Sequence, residues 1–139
     1  MATITKFEEL EIWQEARRFA QTVFEAYTNS ESFLKEYKLK EQINRSGGSI
    51  MDNIAEGFER HGRNECIQFL SIAKGSLGEV KTQLHRTFDR SYISKEVFDA
   101  LYSKADELGR KIGGFISYLD KSEFKGAKFK RETPANSKS

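Results

Sequence analysis

The fold of this chain is decided at residues 49–57, which read Ser49-Ile50-Met51-Asp52-Asn53-Ile54-Ala55-Glu56-Gly57. With the residues around it, this stretch carries two adjacent series at helical spacing. The apolar series, typical of a helix that faces a core, is Leu39, Ile43, Ile50, Ile54 and Phe58. The polar series, which we call the polar file, is Gln42, Arg45, Ser49, Asn53, Glu56 and Arg60. Because solvated faces elsewhere in the chain are built from Lys and Glu, the polar file indicates a hydrogen-bonding surface against something ordered.

The same spacing predicts four helices in all, and residues 49–57 belong to the second of them. We expect helices over residues 8–27, 35–57 and 65–88, and a fourth that Ser94 caps and that runs to about Leu119. The third predicted helix has a bundle seam at alternating steps of three and four residues: Cys66, Leu70, Ala73, Leu77, Val80, Leu84 and Phe88. Since the predicted links are short, the sequence favours an all-α, antiparallel up-down-up-down four-helix bundle.

Local signals set the expected helix ends. Thr5 and Glu8 have the spacing of a capping box, which starts the first helix near Glu8. Residues 29–32 are expected to form a turn, and residues 59–63 a short link with Asn64 as the next N-cap. The bundle is expected over residues 1–120, followed by a basic, flexible tail over residues 121–139.

The first predicted helix is apolar over roughly 200° of its circumference, which is wider than a single core contact requires. Either it sits centrally among three neighbours, or its second side meets another subunit. On the third helix, Ser71, Gly75, Gly78 and Thr82 form a groove of small side chains that favours helix contact. The candidate oligomer interface is therefore Trp13, Phe19, Ser71, Gly75 and Gly78.

Gly47 and Gly48 interrupt the second predicted helix, where each costs about 1 kcal/mol relative to alanine. Either the helix is locally weak, or another backbone approaches closely; we favour the close approach. The glycines at 109, 113 and 114 lack the strand and the Lys-Ser/Thr ending of a phosphate loop, so they predict a close helix crossing.

Composition narrows the protein class. The chain has 139 residues, one proline, one cysteine and a net charge of +2. From Lys121 onward there are six Lys or Arg against two Glu, so residues 1–120 carry a net charge of −2. The lone Cys66 and the lack of a long apolar run lead us to expect no disulfide, no signal peptide and no membrane span, and a reducing cytoplasm as the compartment.

The sequence lacks the residue spacings of known metal and catalytic sites. Neither His61 nor His85 has a Glu three residues earlier, as a di-iron bundle would need, and the spacing of Cys66 from the histidines fits no zinc site. Cys66 lies on the apolar seam and is expected to be a small core residue. We therefore expect no catalytic residue, no metal, no cofactor and no enzymatic activity.

Basic residues leave nucleic-acid binding open. The candidate contacts in the predicted bundle are Arg45, Arg60, Arg63, Lys74, Lys81 and Arg86. The tail adds basic residues interleaved with aromatics, such as Phe129-Lys130-Arg131. Acidic residues are interleaved throughout and the bundle is slightly acidic, so any surface of a single copy is weak. A ring of several copies would multiply it.

Four stretches resemble the bacterial four-helix-bundle proteins known as 23S rRNA intervening-sequence proteins. They are Leu10-x-Ile12-Trp13-Gln14, Gln42-Ile43-x-Arg45, Ser49-Ile50-x-x-Asn53-Ile54-Ala55-Glu56-Gly57, and Phe69-Leu70-Ser71-Ile72-Ala73-x-Gly75-Ser76-Leu77-x-Glu79. The resemblance covers residues 7–120. This chain has Met51 where the family usually has proline, and Gly47-Gly48 where it has small apolar residues. The resemblance implies an antiparallel four-helix bundle, commonly assembled as a homopentameric ring. Some members of the family are encoded inside insertions in the large ribosomal RNA gene, which is not itself evidence of binding RNA, and relatives serve as accessory proteins to retroelement reverse transcriptases.

Two functions from different classes follow. The first is a non-enzymatic, ring-forming bundle that binds structured RNA or a ribonucleoprotein. The alternative is a protein-interaction scaffold without direct nucleic-acid contact. Separately, Ser49, Asn53 and Glu56, with Gly57 beside them, form a structural polar motif that is expected to fix register by hydrogen bonds within the bundle or at a subunit seam.

Overall fold

The computed structural model describes residues 3–121. Within this range the chain is helical, with four long helices, one short helix and a single 3-10 turn at Phe7–Glu9. The helices are α1 (Glu11–Thr28), α2 (Glu31–Lys35), α3 (Tyr37–Glu59), α4 (Arg63–Asp89) and α5 (Lys95–Lys121). The predicted all-α class is confirmed. The predicted basic tail lies outside the described residues, apart from Lys121, which ends α5.

The four long helices pack in the order α1, α3, α4, α5 and back to α1. At each contact, a residue from the later half of one helix meets a residue from the earlier half of the next. These pairs are Tyr27 with Asn44, Gly57 with Cys66, His85 with Phe98, and Lys111 with Glu11. Neighbouring long helices are therefore antiparallel, as the short links require.

The predicted apolar series lie in the core. All five members of the α3 series are buried, and so are six of the seven seam residues of α4, while Phe88 is half-buried. Cys66 is a buried core residue, as predicted. Fully burying a side chain the size of leucine contributes about 1.5–3 kcal/mol, so these repeats supply most of the drive for the four long helices to associate.

The start of α1 differs from the predicted position. The amide of Thr5 donates to Glu9 Oε1 at 3.0 Å, and residues 7–9 form the 3-10 turn instead of joining the helix. The chain is then extended at Leu10, with φ −74° and ψ 128°, and α1 begins at Glu11. Leu10 is buried, so tertiary packing of its side chain outweighs the local capping signal.

Residues 29–32 were expected to be a turn only, but a short helix begins there. Ser30 caps α2 by accepting a hydrogen bond from the amide of Phe33 at 3.2 Å, and its hydroxyl donates to the carbonyl of Tyr92 at 2.6 Å. Phe33 is buried and its ring stacks on that of Tyr92, with centroids 5.8 Å apart. The contact with the distant α4–α5 link therefore stabilises α2.

The remaining helix ends give one correction and one confirmation. Asn64 is not an N-cap, because α4 starts at Arg63 with Gly62 as its N-cap residue. Ser94 does cap α5, since its Oγ accepts from the amide of Val97 at 3.1 Å.

Helix α1 lies between α3 and α5, and also contacts α2 and the 3-10 turn. Its apolar arc is wide because it faces these neighbours of its own chain. Trp13 is 9% exposed and Phe19 3% exposed, so these two candidate interface residues leave almost no surface for another subunit. The large apolar residue that α1 leaves open is Phe24, which is 43% exposed.

The close backbone approach lies at Gly57 and not at the predicted Gly47-Gly48. A Cβ built at Gly57 would lie 3.2 Å from the carbonyl oxygen of Cys66 and 3.1 Å from Cβ of Phe69. Built at Gly47 or Gly48, it would meet nothing within 4 Å. Helices α3 and α4 converge toward their connecting link, which explains why glycine is needed at residue 57. Of the three glycines predicted to mark a close crossing, Gly109 lies against α4, since a Cβ there would be 3.3 Å from Leu77, whereas a Cβ at Gly114 would meet nothing within 4 Å.

Within residues 3–121, no helix is both long enough and apolar enough to cross a lipid bilayer.

Candidate nucleic-acid interface

Polar side chains join α3 to α4 along one edge of their contact. Ser76 Oγ donates to Ser49 Oγ at 2.9 Å, and Gln83 Nε2 donates to Ser46 Oγ at 3.2 Å. Ser46, Ser76 and Gln83 are buried and Ser49 is half-buried. Ser46, Ser49, Ser76 and Gln83 thus form a polar edge between α3 and α4. Ser46 and Ser49 are three residues apart on α3, and Gln83 and Ser76 are seven apart on α4, so the two bonds together specify the register of α4 on α3.

The rest of the polar file lies along the same edge. Arg86 Nη1 donates to Gln42 Oε1 at 3.1 Å, which joins the two helices again. Asn53 bonds within α3, where its Nδ2 donates to the carbonyl and the hydroxyl of Ser49 at 2.8 and 2.9 Å. Glu56 is paired with Arg60 four residues later, at 2.9 Å. Five of the six residues of the polar file therefore have partners in their own chain, and the exception among the described residues is Arg45.

The small-residue stripe of α4 lies on the outer face of the bundle. Ser71, Gly75, Gly78 and Thr82 are all exposed, and a Cβ at either glycine would meet nothing within 4 Å. This surface, which we call the α4 outer face, is flanked by cationic side chains. Their positions by helical spacing are Lys74 and Lys81 on the side of α5, and Arg86 on the side of α3.

The cations of the α4 outer face differ in how they are held. Lys81 is ion-paired with Asp106 of α5, and its ammonium lies 5.2 Å from the ring centroid of Tyr102. Lys74 extends over α5, where its Nζ would lie 3.5 Å from a Cβ built at Gly113. Lys74 and Arg86 are exposed, whereas Lys81 is half-buried. Two of the three charges therefore face solvent with little neutralisation.

Helix α4 is also the only long helix of the described chain with a positive balance. It carries four Lys or Arg against three Asp or Glu. The corresponding numbers are two against three for α1, three against four for α3, and five against five for α5. Between residues 66 and 88, the only acid of α4 is Glu79. Helix α4 therefore has the most positive net charge of the four long helices, +1 from four basic and three acidic residues.

The other candidate contacts lie elsewhere. Arg60 is paired with Glu56 and lies over the ring of Phe69, with 4.9 Å from Cζ to the centroid, and the half-buried Arg63 is the first residue of α4. Both belong to the α3–α4 link. Arg45 lies on α3 and lines one groove together with Arg86 of α4. The six predicted cations therefore occupy three places and do not form one continuous patch.

The structure brings two sets of predicted residues onto the same surface. The candidate interface residues Ser71, Gly75 and Gly78 lie between the candidate phosphate contacts Lys74 and Arg86. A second copy packed tightly on this face would cover the cations. Subunit contact and nucleic-acid contact are therefore competing uses of the α4 outer face.

A second open surface lies between α1 and α3. It is a groove of about 800 Å³ whose lining includes Trp13, Ala20, Phe24, Asn44 and Met51. Its rim carries Arg17, whose guanidinium lies 5.7 Å from the centroid of the Trp13 ring. The lining mixes apolar residues with polar and charged ones, which include Glu8, Arg18 and Gln21.

Reactive side chains are few in the part of the chain that is described. Burial raises the pKa of the Cys66 thiol to about 12, which keeps it protonated at neutral pH. His61 is exposed, and the ring of His85 packs against Phe98 and Tyr102 with centroids 5.1 and 5.3 Å away. Among residues 3–121, no three His, Cys, Asp or Glu side chains are grouped so that they could hold a metal ion.

Sequence reasoning missed Ser46, Ser76, Glu79 and Gln83 at this edge. Ser76 and Gln83 each directly precede an apolar residue of the α4 series, and this position next to the core is the signal that could have identified them. Polar residues next to a core series are usually hydrogen-bonded to a neighbouring helix. Which helix they meet, however, is not encoded in their spacing.

These observations define a class of protein: an all-α antiparallel bundle of four long helices, with a polar edge between α3 and α4 and a basic outer face on α4. The chain belongs to the 23S rRNA-intervening sequence protein family, whose model matches residues 8–114. The family predicted from the sequence motifs is thus confirmed.

The structural comparison agrees with this family. The chain is similar to a crystal structure of a protein of unknown function from the S23 ribosomal protein family of Bacteroides thetaiotaomicron VPI-5482. The TM-score is 0.71 at 26% identity, and the match covers 76% of this chain and 97% of the other. A comparison with curated proteins gave no match.

Proposed function

We propose that this protein is a non-enzymatic RNA-binding protein that works as a homo-oligomer in the cytoplasm. Its RNA-binding surface is the α4 outer face, with the neighbouring groove between α3 and α4, which we call the α3–α4 groove and whose lining includes Arg45, Glu79 and Arg86. The observation that carries the proposal is the set of three cations, Lys74, Lys81 and Arg86, on both sides of a smooth stripe of glycines and hydroxyls. Short side chains allow a phosphate backbone to approach the helix while the long cations contact it from the sides.

The family description supports RNA as the partner, because it names a segment of 23S rRNA. A single copy offers few unpaired cations, and counterion release from so few phosphates gives weak binding. Copies arranged in a ring, a homopentamer by the resemblance to the family, would present this surface several times and raise the avidity. The oligomer is thus part of the proposal and not an addition to it.

The first experiment measures the affinity of the full chain for a structured RNA as a function of salt. We expect log K to fall linearly with log salt, with a slope of about −0.7 to −0.9 for each phosphate neutralised. A triple variant with Lys74→Gln, Lys81→Gln and Arg86→Gln should weaken binding and flatten the slope. Lys104→Gln combined with Arg110→Gln removes exposed charge from α5 and serves as the control. Binding that is absent at low salt, or equally weakened by the control, refutes the proposal.

A second experiment separates the two competing uses of the α4 outer face. Gly78→Glu places a negative charge on this face at a position with open space around it. If RNA binds there, RNA affinity falls and the native mass is unchanged. If copies pack there, the native mass falls to that of a single chain. Gly114→Glu, on an exposed position of α5 with equal space, is the matched control. Native mass is measured with and without nuclease.

The second candidate function is a protein-interaction scaffold, and the α1–α3 groove is the observation that favours it. Phe24 is exposed and lines this groove together with Met51, so it offers a contact for an apolar side chain of a protein partner. Phe24→Glu would then abolish capture of one stoichiometric protein that resists nuclease, without changing RNA affinity. Loss of RNA affinity in this variant, with the fold intact, would contradict the separate role of the groove.

A further inference from the structure

The α3–α4 groove contains unused hydrogen-bond donors and unused acceptors side by side. It has a volume of about 390 Å³, and the residues that matter here are Gln42, Arg45, Ser46, Glu79, Gln83 and Arg86. It adjoins the α4 outer face at Arg86 and Thr82. It is therefore part of the surface to which we assign RNA, and the inference below rests on that proposed function.

The donors are two guanidinium groups from different helices. Arg45 of α3 is exposed and makes no hydrogen bond or ion pair with any other described residue. Arg86 of α4 uses one N–H on Gln42 Oε1 and keeps the others open. Guanidinium groups bind phosphate oxygens in a bidentate way, so this pair suits the sugar-phosphate backbone.

The acceptors are a carboxylate and an amide oxygen. Glu79 is exposed in the groove, and within the described chain it accepts only a long 3.4 Å hydrogen bond from Ser46 Oγ and forms no ion pair. Gln83 is 8% exposed, and its Oε1 has no hydrogen-bond partner among the described residues. Gln83 Oε1 is shielded from the groove, so the acceptor that a ligand can reach is the Glu79 carboxylate. A phosphate brings only acceptor oxygens, so it would make no hydrogen bond with this carboxylate and would be repelled by it.

A ribose differs from a deoxyribose by a hydroxyl that donates as well as accepts. We propose that the α3–α4 groove is a ribonucleotide-binding site that distinguishes RNA from DNA. Arg45 and Arg86 hold the phosphates, and Glu79 accepts the hydrogen bond of a ribose 2′-hydroxyl between them. The carboxylate thus selects the sugar, whereas the cations bind either nucleic acid.

The test compares one hairpin sequence made as RNA and as DNA, titrated at low salt against the full-length protein. We expect the wild type to bind the RNA hairpin more tightly. Glu79→Ala should lower the RNA-to-DNA affinity ratio by about tenfold, the loss of one hydrogen bond to a charged group, while DNA affinity stays the same or rises. Arg45→Gln should weaken both hairpins by a similar factor. Asp89→Ala, which removes an exposed acid from α4 outside the groove, is the control and should leave the ratio unchanged.

Thermal melting of each variant checks that the fold is kept. Equal binding of RNA and DNA by the wild type overturns the sugar selection while leaving the proposed nucleic-acid binding intact. A ratio that Glu79→Ala leaves unchanged also overturns it. Binding of neither hairpin at low salt would instead refute the proposed function itself, so the two failures are distinguishable.

Discussion

The hydroxyl of Ser76 donates a hydrogen bond to the hydroxyl of Ser49 at 2.9 Å, joining the middle of α4 to the middle of α3. Ser49 Oγ accepts at the same time from Asn53 Nδ2, so one side chain of the polar file connects an intrahelical bond to an interhelical one. Sliding α4 by one turn would break this contact together with the Gln83–Ser46 bond. Apolar side chains alone tolerate such shifts better, because dispersion and burial have little directionality.

The first prediction concerns this hydrogen bond. Ser76→Ala removes the donor and should lower the free energy of unfolding by about 0.5–1.5 kcal/mol, measured by urea denaturation. Ser71→Ala, one turn away on the exposed side of the same helix, should change it by less than about 0.5 kcal/mol. Equal effects of the two substitutions would mean that the Ser49–Ser76 bond contributes nothing to stability.

The second prediction compares two glycines of α3. Gly57→Ala places a methyl group 3.2 Å from the backbone carbonyl of Cys66, which cannot move without shifting α4. We expect overpacking to outweigh the helix-propensity gain and to lower stability by about 1–3 kcal/mol. Gly48→Ala meets nothing within 4 Å and should raise stability by up to about 1 kcal/mol. Thermal denaturation of both variants measures these two changes. A Gly57→Ala protein more stable than the wild type would contradict the close approach of α4 at this residue.

The third prediction concerns the reactivity of Cys66. Because burial raises the pKa of its thiol to about 12, the native protein should react with Ellman's reagent at pH 8 at least about 10³-fold more slowly than the unfolded chain, whose thiol has a pKa near 8.5. The same shift makes the folded state hold this proton more tightly than the unfolded state. Its contribution to stability is therefore complete below about pH 8.5 and is lost as the pH rises toward 12. Rapid labelling of the native protein would contradict the burial.

The fourth prediction concerns the ion pairs between α5 and α1. Lys111 binds both Glu11 and Glu15, and the hydrogen bonds to Glu15 and Glu11 raise its pKa above the ordinary value. Its side chain is 35% exposed, so Lys111→Met should cost only about 0.5–1 kcal/mol at neutral pH, and less at high salt.

The stability difference between the wild type and Lys111→Met should depend on pH in one direction. A raised folded-state pKa means that Lys111 stabilises fully below the unfolded pKa of about 10.4, and that this stabilisation is lost as the pH rises through the folded value. The stability difference between wild type and Lys111→Met should therefore shrink above about pH 10.4. Lys95→Met, whose partner Asp99 lies on the same exposed turn of α5, serves as the comparison and should cost less. A difference that grows with salt or with alkaline pH would contradict an electrostatic origin.

Residue type alone did not show which predicted contacts share a surface of α4. The sequence assigned small residues to subunit contact and cations to nucleic acid, and both assignments follow from residue type alone. The fold places Gly75 between Lys74 and Arg86 on one exposed face, so the two assignments compete. Trp13 and Phe19 show the opposite case, since their own chain buries them and removes them from the candidate interface.

The sequence by itself determined the helical class, the four long helices, the buried faces of α3 and α4, the Ser94 cap and the family. These properties are local or periodic: a repeat of three and four residues places its members on one side of a helix wherever that helix goes. The core position of Cys66 followed from the same repeat.

Only the tertiary structure decided which side chains meet across helices. The existence of α2 depends on Phe33 stacking against Tyr92, 59 residues later in the sequence, and the need for glycine at residue 57 depends on the approach of α4. The groove that brings Arg45 beside Arg86 and Glu79 depends on the rotation of α4 against α3. Rotation and register are set by the packing of residues distant in sequence, so no local pattern specifies them.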